Sequence, residues 1–320
     1  MSTILVTGAA GFIGSHLCER LLAAEHRVIG LDNFNDYYAP ALKRANLETC
    51  LTHPHFQIIE GDIRDAALLD PIFEQANFEH VVHLAAMAGV RNSILQPLLY
   101  ADVNIQGTLN LAELARAHMV PYFVFGSSSS VYGANPSIPF TETDRLDALL
   151  SPYAATKLAG EILLKNYSDL FQINVTALRF FTVYGPRQRP EMAIHGFTRK
   201  ILRGEPIDRF GDGYSLRDYT YIDDIIDGIL LAMAKPARFE IYNLGAGQTI
   251  ALAEMIGLLE GYCGQRAKIQ GSAEQPGDAP RTLADIAKAR KQLGYEPKVN
   301  VRTGLGRFVE WYQKTHRADS

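Results

Sequence analysis

The sequence predicts an α/β fold in which a doubly wound parallel sheet carries a smaller, interleaved α/β unit. Short apolar runs alternate with helical stretches through the first half of the chain, as such a sheet requires. These runs are continuously apolar, which is typical of strands buried on both faces of a parallel sheet. With 320 residues and 47% hydrophobic content, the chain is long enough for one large core and a smaller second unit.

The first predicted element is a strand that leads into a glycine turn and a helix. The apolar run 3–7 is followed by Gly8, Gly11 and Gly14, and an amphipathic stretch covers 15–24. Glycines at this spacing permit a tight turn and let a pyrophosphate approach the amides at the helix N-terminus, where the dipole favours anions. The pattern predicts the dinucleotide-binding turn of a Rossmann-type sheet. A tight turn in another kind of α/β protein is the alternative.

The second predicted strand ends in an acidic residue. The apolar run 28–31 is followed by Asp32, about 20 residues after the glycines. Its carboxylate can accept hydrogen bonds from the adenosine ribose and would repel a 2′-phosphate. The expected cofactor is therefore NAD rather than NADP.

Later strands also end at polar or small residues. The predicted elements are strands at 56–60, 81–86 and 122–125 and helices near 66–76, 102–118 and 153–171. Ligands of parallel sheets bind beyond the carboxyl ends of the strands. The residues expected at such ends are Gly8, Asp32, Asp62, Ala85, Ser128 and Thr182. One site is expected to collect them.

A hydroxyl-rich segment precedes a Tyr and a Lys that are four residues apart. Residues 127–130 are all Ser, and Tyr153 and Lys157 lie on the next predicted helix. Positions i and i+4 share a helix face, so both side chains can face one cavity. A nearby ammonium would lower the pKa of the phenol from its ordinary value of about 10, which would make Tyr153 a general base. The same spacing arises by chance on packed helices, so its meaning depends on the surrounding residues.

Composition excludes several classes of partner. A net charge of −4 without a basic run argues against nucleic acid. No apolar stretch approaches the roughly 20 residues of a membrane span, and the chain enters a strand without a signal segment. Cys18, Cys50 and Cys263 lack a paired spacing, so they are expected to be buried small hydrophobes. We expect a cytoplasmic protein.

Eight segments together resemble the extended short-chain dehydrogenase/reductase family, in particular its nucleotide-sugar epimerases. They are TGAAGFIGSHL, GDIRD, HLAAMAGVR, SSSSVYG, SPYAATK, LRFFTVYGP, LRDYTYIDDI and EQPGDAPRT. Within that family, the segments LDNFNDYYAPALKRANL, MAGVR and RFFTVYGPRQRPEMA are similar to UDP-glucuronate 4-epimerases. The resemblance implies an NAD-dependent isomerase that converts UDP-glucuronate to UDP-galacturonate through a transient 4-keto intermediate.

Related enzymes of this family that catalyse other reactions differ in their acidic residues. Dehydratase and decarboxylase relatives carry acidic residues where this chain has Ser129 and Ser130, so water elimination lacks an acid–base pair here. A UDP-glucose/UDP-galactose 4-epimerase and a non-catalytic NAD-binding regulator remain as alternatives. Regulators of this fold commonly lack the Tyr or the Lys, and this chain has both.

The resemblance also implies the site residues. Those expected to be catalytic are Tyr153, Lys157 and Ser128. Those expected to bind the cofactor are Gly8, Gly11, Phe12, Ile13, Gly14, Asp32, Asn33, Asp62, Ile63, Leu84, Ala85, Ala86, Asn104, Tyr153, Lys157 and Phe180. Those expected to bind the substrate are Arg91, Ser128, Ser129, Thr182, Arg189, Phe210, Arg217 and Asp278.

Within the substrate set, the resemblance implies separate tasks. Arg189 and Thr182 match positions near the uronate carboxylate, for which Arg91 and Arg187 are further candidates. The uracil is expected near 206–210. Arg217 is expected at the diphosphate and Asp278 at the uridine ribose.

These expectations divide the chain into two interleaved domains. Residues 1–183 form an NAD-binding Rossmann domain to which 216–240 returns, and residues 184–215 and 241–320 bind the nucleotide sugar. Relatives pair the helices near 102–118 and 153–171 across a dimer interface. The resemblance therefore implies a homodimer that binds a UDP-sugar.

Overall fold

A computed structural model describes residues 1–210, 213–272 and 281–316. The strands are β1 Thr3–Thr7, β2 Arg27–Asp32, β3 Phe56–Glu60, β4 His80–His83, β5 Tyr122–Ser128, β6 Asn174–Phe180, β7 Thr182–Tyr184, β8 Pro206–Phe210, β9 Leu216–Arg217, β10 Tyr219–Tyr221, β11 Phe239–Leu244, β12 Ile250–Ala251 and β13 Lys268–Ser272. The helices are α1 Phe12–Ala23, α2 Pro40–Ala45, α3 Glu48–Leu51, α4 Ala66–Ala76, α5 Val90–Leu95, α6 Pro97–Ala101, α7 Gly107–Ala117, α8 Pro152–Phe171, α9 Ala193–Leu202, α10 Ile222–Met233, α11 Leu252–Cys263, α12 Ala287–Leu293 and α13 Val301–Thr315.

The main sheet has seven strands in the order β11-β6-β5-β4-β1-β2-β3. Every neighbouring pair in it is parallel. The chain extends from β1 through β2 to β3 on one side and then crosses to β4 on the other side. The strand order therefore reverses between β1 and β4, and such a reversal is where ligands bind in open α/β sheets.

Helices cover both faces of this sheet. In β1, Ile4 and Val6 belong to one core cluster and Leu5 to another, because successive side chains of a strand point to opposite faces. Helices α1 and α10 contact each other on one face, and α4, α7 and α8 pack together on the other. The prediction of a doubly wound parallel sheet is confirmed.

Within residues 1–210, 213–272 and 281–316, three small sheets lie outside the main one. They pair β8 with β13 and β7 with β10 in parallel, and β9 with β12 in antiparallel orientation. Helix α11 contacts α9 and α13 beside them. Between these segments the chain returns to the main sheet, since α10 packs on β5 and β6 and β11 pairs with β6. Strand β11 extends to Leu244, four residues past the predicted end of the returning segment at 240.

Cys18, Cys50 and Cys263 are buried and unpaired, as predicted. The helix predicted near 102–118 begins with a π-helical segment, Asp102–Gln106, before α7. None of the helices in the described residues combines the length and apolarity that crossing a membrane requires.

Candidate active site

A cavity of about 370 Å³ lies at the carboxyl ends of β1, β2, β4 and β5. Its position matches the reversal of strand order, where ligands are expected. The predicted site residues that line it are Gly8, Gly11, Phe12, Ile13, Gly14, Asp32, Asn33, Asp62, Ile63, Leu84, Ala85, Ala86, Ser128, Ser129, Tyr153, Lys157, Phe180, Thr182 and Arg189. The structure brings these residues together at one edge of the sheet.

The glycine turn forms one wall of the cavity. Gly8 has a φ of +69°, a left-handed conformation that favours glycine. A Cβ atom on Gly8 would lie 2.8 Å from the Ala85 nitrogen, and one on Gly14 would lie 2.1 Å from the Gly8 oxygen. No side chain of the described residues caps the N-terminus of α1 at Gly11, so its amides remain available to an anion. This cradle fits the pyrophosphate of NAD.

Asp32 lies beside the glycine turn and is 8% exposed. Its Oδ2 accepts a hydrogen bond from the Ala10 amide at 3.0 Å, and its Oδ1 accepts one from the Phe34 amide at 2.9 Å. Burial raises the pKa of Asp32, whereas the two amides and the Lys43 ammonium act in the opposite direction. The side chain thus holds the turn in place, and its remaining lone pairs can accept hydrogen bonds from ribose hydroxyls.

Asp62 belongs to a second polar cluster at the same end of the cavity. Its Oδ2 accepts hydrogen bonds from Asn33 Nδ2 and Arg64 Nη2, both at 2.8 Å. Arg64 also pairs with Asp102 at 2.6 Å. The Arg64 hydrogen bonds lower the pKa of Asp62 to about 2. The carboxylate is therefore ionised at neutral pH and can accept hydrogen bonds from a ligand.

Tyr37, Tyr38 and Lys43 also line the cavity, and the sequence analysis assigned them no role. Lys43 is 5% exposed, and its Nζ donates to the backbone and side-chain oxygens of Asn35 at 2.8 and 2.9 Å. The Tyr38 hydroxyl is buried and has no hydrogen-bond partner among the described residues. Two tyrosines and a lysine that closely follow an acidic strand end could have been predicted from the sequence to lie near the cofactor site. Their directions, however, depend on how the loop folds back over the cavity.

The start of α8 fixes the position of Tyr153. Ser151 Oγ accepts a hydrogen bond from the Ala154 amide at 3.1 Å, and Pro152 occupies the first helical position. Both features favour a helix start at this point. Tyr153 therefore lies in the first turn, where its phenol is hydrogen-bonded to the Ser128 hydroxyl.

The pKa of Tyr153 is raised in the protein alone. Burial disfavours the phenolate, while the Ser128 hydrogen bond and the Arg189 guanidinium lower the pKa by smaller amounts. The expectation that a nearby cation would lower this pKa below its ordinary value is therefore wrong for the protein by itself. The reason is that burial outweighs the charge.

Lys157 is also buried, and its ammonium has its own partners. Its Nζ donates to the Gly126 carbonyl at 2.8 Å and lies 4.9 Å from the centroid of the Phe125 ring. Burial lowers the pKa of Lys157 to about 7, and the Glu161 carboxylate acts in the opposite direction. The charge of Lys157 is thus sensitive to its surroundings near neutral pH.

Asn104 does not line the cavity but connects two elements that do. Its Oδ1 accepts from the Met87 amide at 2.8 Å, and its Nδ2 donates to the Met87 carbonyl at 2.9 Å and to Thr156 Oγ1 at 3.0 Å. Thr156 in turn donates to the Tyr153 carbonyl at 2.9 Å. Asn104 therefore holds the loop after β4 against the first turn of α8.

The sugar end of the cavity, defined by Ser128, Ser129, Tyr153, Thr182 and Arg189, carries the predicted carboxylate-binding groups. The Arg189 side chain is 22% exposed, and its Nε lies 3.2 Å from a carboxylate oxygen of the neighbouring Glu191. Its guanidinium lies 5.6 Å from the centroid of the Tyr37 ring. A guanidinium beside hydroxyl donors suits a carboxylate ligand.

The other two arginine candidates have different positions. Arg91 is exposed on α5, next to the cavity-lining residue Val90. Arg187 Nη2 pairs with Glu19 Oε1 of α1 at 2.6 Å, and its Nη1 donates to Ser15 Oγ at 3.4 Å. Arg187 is therefore bound to the back of the glycine-turn helix, and Arg189 is the candidate that lines the cavity.

The predicted nucleotide-binding residues lie later in the chain. Phe210 ends β8. Arg217 ends β9, where its Nη1 donates to the Leu216 carbonyl at 3.1 Å. Asp278 lies outside the described residues. The roles of these residues remain predictions.

Residues 4–245 match the family described as NAD dependent epimerase/dehydratase. The chain belongs to this family. The glycine cradle and the Tyr153–Lys157 pair both lie inside the matched range.

Relatives and solved structures are similar over nearly the whole chain. UDP-glucuronate 4-epimerase 4 from Arabidopsis thaliana is 43% identical over 336 residues, covering 99% of this chain and 76% of that protein. The crystal structure of UDP-glucuronic acid 4-epimerase from Bacillus cereus in complex with UDP-glucuronic acid and NAD has a TM-score of 0.91 and 38% identity, with 98% and 99% of the two chains covered. UDP-glucose 4-epimerase from Thermotoga maritima, solved with UDP-glucose, has a TM-score of 0.90 and 35% identity, with the same coverage.

Proposed function

We propose that the protein is an NAD-dependent isomerase that converts UDP-glucuronate to UDP-galacturonate by inverting carbon 4 through a transient 4-keto intermediate. The observation that carries this proposal is the sugar end of the cavity, which is lined by Ser128, Tyr153 and Arg189. There the Ser128 hydroxyl and the Arg189 guanidinium both lower the pKa of the Tyr153 phenol, against the effect of burial. The 43% identity to a UDP-glucuronate 4-epimerase supports the choice of substrate.

When bound, NAD supplies the hydride acceptor for carbon 4 and returns the hydride to the other face of the sugar. Tyr153 takes the proton of the 4-hydroxyl, and Ser128 orients or relays that proton through its hydrogen bond to the phenol. The pKa of Tyr153 is raised by burial, so ionisation depends on nearby cations. Lys157 and Arg189 are the cavity-lining groups that supply them.

A uronate substrate brings a hazard that the residues must suppress. Oxidation at carbon 4 makes a β-keto acid, whose carboxylate leaves as carbon dioxide when its bond aligns with the carbonyl π system. We propose that Arg189 and Thr182 bind this carboxylate and hold it out of alignment, with Arg189 as the stronger anchor. Ser130 stands where decarboxylating relatives carry an acid, so that assistance is missing here.

Four further residues belong to the proposed substrate site. The resemblance assigns Phe210 to the uracil, Arg217 to the diphosphate and Asp278 to the uridine ribose, with Arg91 near the sugar. A guanidinium suits a diphosphate because its planar fork forms two charge-assisted hydrogen bonds. Asn104 contributes to the cofactor site by holding the loop after β4 against α8.

The domain division remains a proposal. Residues 1–183 and 216–240 would hold the cofactor, and 184–215 with 241–320 would hold the nucleotide sugar. The pairing of β8 with β13 outside the main sheet supports the second unit. The return of α10 to the main sheet supports the interleaving.

We also propose a cytoplasmic homodimer. Pairing would use the helices at 102–118 and 153–171, and on α8 the apolar side chains Ile162 and Leu170 are 61% and 62% exposed. Unpaired, buried cysteines fit a reducing compartment. A light-scattering mass near that of one 35.4 kDa chain at micromolar concentration would contradict the dimer.

UDP-glucose/UDP-galactose epimerisation is the second candidate, supported by the 35% identity to the Thermotoga maritima enzyme. The test is to incubate the purified protein separately with UDP-glucuronate and UDP-glucose and to separate the products by chromatography. We expect UDP-galacturonate from the first substrate. Conversion of UDP-glucose alone would favour the second candidate. Tight NAD binding without turnover of either substrate would favour a non-catalytic regulator.

A further inference from the structure

A buried polar row crosses the main sheet behind the candidate catalytic residues. Ser127, Arg179 and Asn243 are register partners on the adjacent strands β5, β6 and β11. Glu161 of α8 joins this row. Its Oε1 accepts from Ser127 Oγ at 2.5 Å and from Arg179 Nε at 2.9 Å, and its Oε2 accepts from Arg179 Nη2 at 2.7 Å. Glu161 and Arg179 are each 2% exposed.

The polar row is closed by further hydrogen bonds. Arg179 Nη1 donates to the Tyr132 hydroxyl at 3.0 Å, which donates to Asn243 Oδ1 at 2.6 Å. A buried ion pair is weak evidence for stability, because the cost of removing both charges from water offsets their attraction. The position of Glu161 points to a different task.

Glu161 accepts a hydrogen bond from Ser127, which lies on β5 between the residues that contact Lys157 and Tyr153. The Gly126 carbonyl holds the Lys157 ammonium, the Ser128 hydroxyl bonds the Tyr153 phenol, and Ser127 lies between them. The hydrogen bond from Ser127 to Glu161 therefore joins the end of β5 to the helix that carries both Lys157 and Tyr153.

The packing of α8 on β5 leaves little freedom in this arrangement. A Cβ atom on Gly160 would lie 2.6 Å from the Phe125 ring, so the helix approaches the strand closely at this point. Glu161 follows Lys157 by four residues, which places both on one face of the helix. A shift of Glu161 would therefore be passed on to Lys157.

Among the groups around Lys157, Glu161 is the carboxylate that raises the pKa of the lysine. The titratable and charged groups facing it are Tyr153 and Glu161 from its own helix, His83 from β4, Arg179 from β6 through its pair with Glu161, and Arg189 across the cavity through Tyr153. Burial lowers the pKa of His83 to about 3, so that ring is neutral. Glu161 supplies the negative charge that opposes the effect of burial on the pKa of Lys157.

We infer that Glu161 is a positioning residue for the epimerisation: it holds the end of β5 against α8 and keeps the Lys157 side chain charged. Its kinetic consequences rest on the proposed function. Its effect on the charge of Lys157 does not, and this effect can be measured without substrate.

The kinetic test is Glu161→Gln, which keeps the shape of the side chain and removes its charge. We expect kcat to fall about tenfold with KM changed less than about twofold, and the basic limb of the kcat–pH profile to move about one unit lower. The reason is that Lys157 would lose its proton at lower pH. The matched control is Asp169→Asn, which removes a charge from the exposed pair with Lys165 on the same helix. It should leave the profile unchanged.

The substrate-free test is the melting temperature as a function of pH. A lysine whose folded pKa is about 7, below its ordinary 10.5, binds fewer protons in the folded state. Stability therefore rises as pH increases between these values. In Glu161→Gln this rise should begin at a lower pH. In a Lys157→Met background, Glu161→Gln should no longer shift the curve.

Two more variants separate positioning from a purely structural role. Glu161→Gln/Arg179→Gln removes both partners of the buried ion pair, so neither of them is left unpaired. This variant should recover thermal stability relative to Glu161→Gln, while the basic limb of its pH profile stays at the lower pH. Ser127→Ala should lower kcat without moving that limb. The inference would be overturned if the double variant, or a folded Glu161→Gln, had the kcat of the wild type and the same basic limb of the kcat–pH profile. If the melting curves shift as expected but the wild type turns over neither UDP-sugar, the proposed function is wrong. The inference that Glu161 keeps Lys157 charged would still hold.

Discussion

The two ends of the cavity are built in different ways. At the cofactor end, defined by the glycine turn, Asp32 and Asp62, the protein itself bonds the polar groups through amides, Asn33 and Arg64. At the sugar end, burial raises the pKa of Tyr153, and the Ser128 hydroxyl and the Arg189 guanidinium oppose this effect. For Arg189, burial lowers the pKa and the Glu191 carboxylate opposes it. The cofactor end is therefore fixed before any ligand binds, whereas the chemistry of the sugar end depends on a balance of charges.

This contrast suits the proposed reaction. A cofactor that returns its hydride must stay in place for the whole cycle, and a preformed cradle keeps it there without reorganisation. A 4-keto sugar must rotate before the hydride returns, so its site needs a few strong anchors rather than a complete cradle. Four changes test the contrast between the two ends.

The largest effect is expected at the sugar end, from Tyr153→Phe. Loss of the hydroxyl removes the proton acceptor, and kcat should fall about 10²- to 10⁴-fold. NAD and UDP-glucuronate should still bind, because the ring and the cradle remain. Product formation and calorimetric binding measure the two outcomes, and near-normal turnover would remove Tyr153 from the mechanism.

Arg189→Ala should weaken substrate binding and allow the 4-keto intermediate to lose its carboxylate as carbon dioxide. The loss of a charge-assisted hydrogen bond costs about 1.5–3 kcal/mol. UDP-glucuronate affinity should therefore fall more than UDP-glucose affinity, and carbon dioxide and a UDP-pentose should appear. Arg187→Ala is the control, since this arginine pairs with Glu19 away from the cavity. If Arg189→Ala and Thr182→Ala leave both readings unchanged, the carboxylate lies elsewhere and Arg91 is the next candidate.

Gly14→Ala tests the rigidity of the cofactor end. The new Cβ would lie 2.1 Å from the Gly8 oxygen, and overpacking of this kind costs about 1–3 kcal/mol. We expect a lower free energy of unfolding in urea and weaker NAD binding. Gly257→Ala is the matched control, because it lies in α11 with nothing within 4 Å of its Cβ position. It should raise stability by about 0.5–1 kcal/mol, and equal effects of the two changes would contradict the close packing of the turn.

The smallest effect is expected from Asp62→Asn. A folded pKa of about 2, below the ordinary 3.8, means that this carboxyl stabilises the fold above about pH 4, and the contribution is lost as pH falls towards 2. Because the group is partly exposed, we expect a loss of only about 0.5–1 kcal/mol at neutral pH. Urea unfolding across the acid range measures it. Glu60→Gln, in the exposed pair with Arg44, should show no comparable pH dependence.

Much of the cofactor end could be predicted from the sequence. Gly8 and Gly14 are required by backbone geometry, and an acid at the end of β2 lies next to the glycine turn in any sheet of this order. Local pattern and strand alternation decide such features, so they are visible without coordinates. The burial of the cysteines was predictable for a similar reason, because each lies in an apolar stretch.

The sugar end was less accessible to the sequence. The Tyr153–Lys157 spacing indicated a shared cavity, yet the raised pKa of Tyr153 arises from burial by residues distant in the chain. The sequence also could not show that Arg187 pairs with Glu19 while Arg189, two residues later, lines the cavity.

The sequence by itself determined the order of strands and helices, the glycine turn and the spacing of the catalytic candidates. Backbone geometry and hydrophobic periodicity act over a few residues, so these features can be read locally. Only the tertiary structure decided which charges meet. Glu161 and Arg179 are separated by 18 residues and lie on different elements, and the free energy of a buried charge depends on its neighbours in space rather than in sequence.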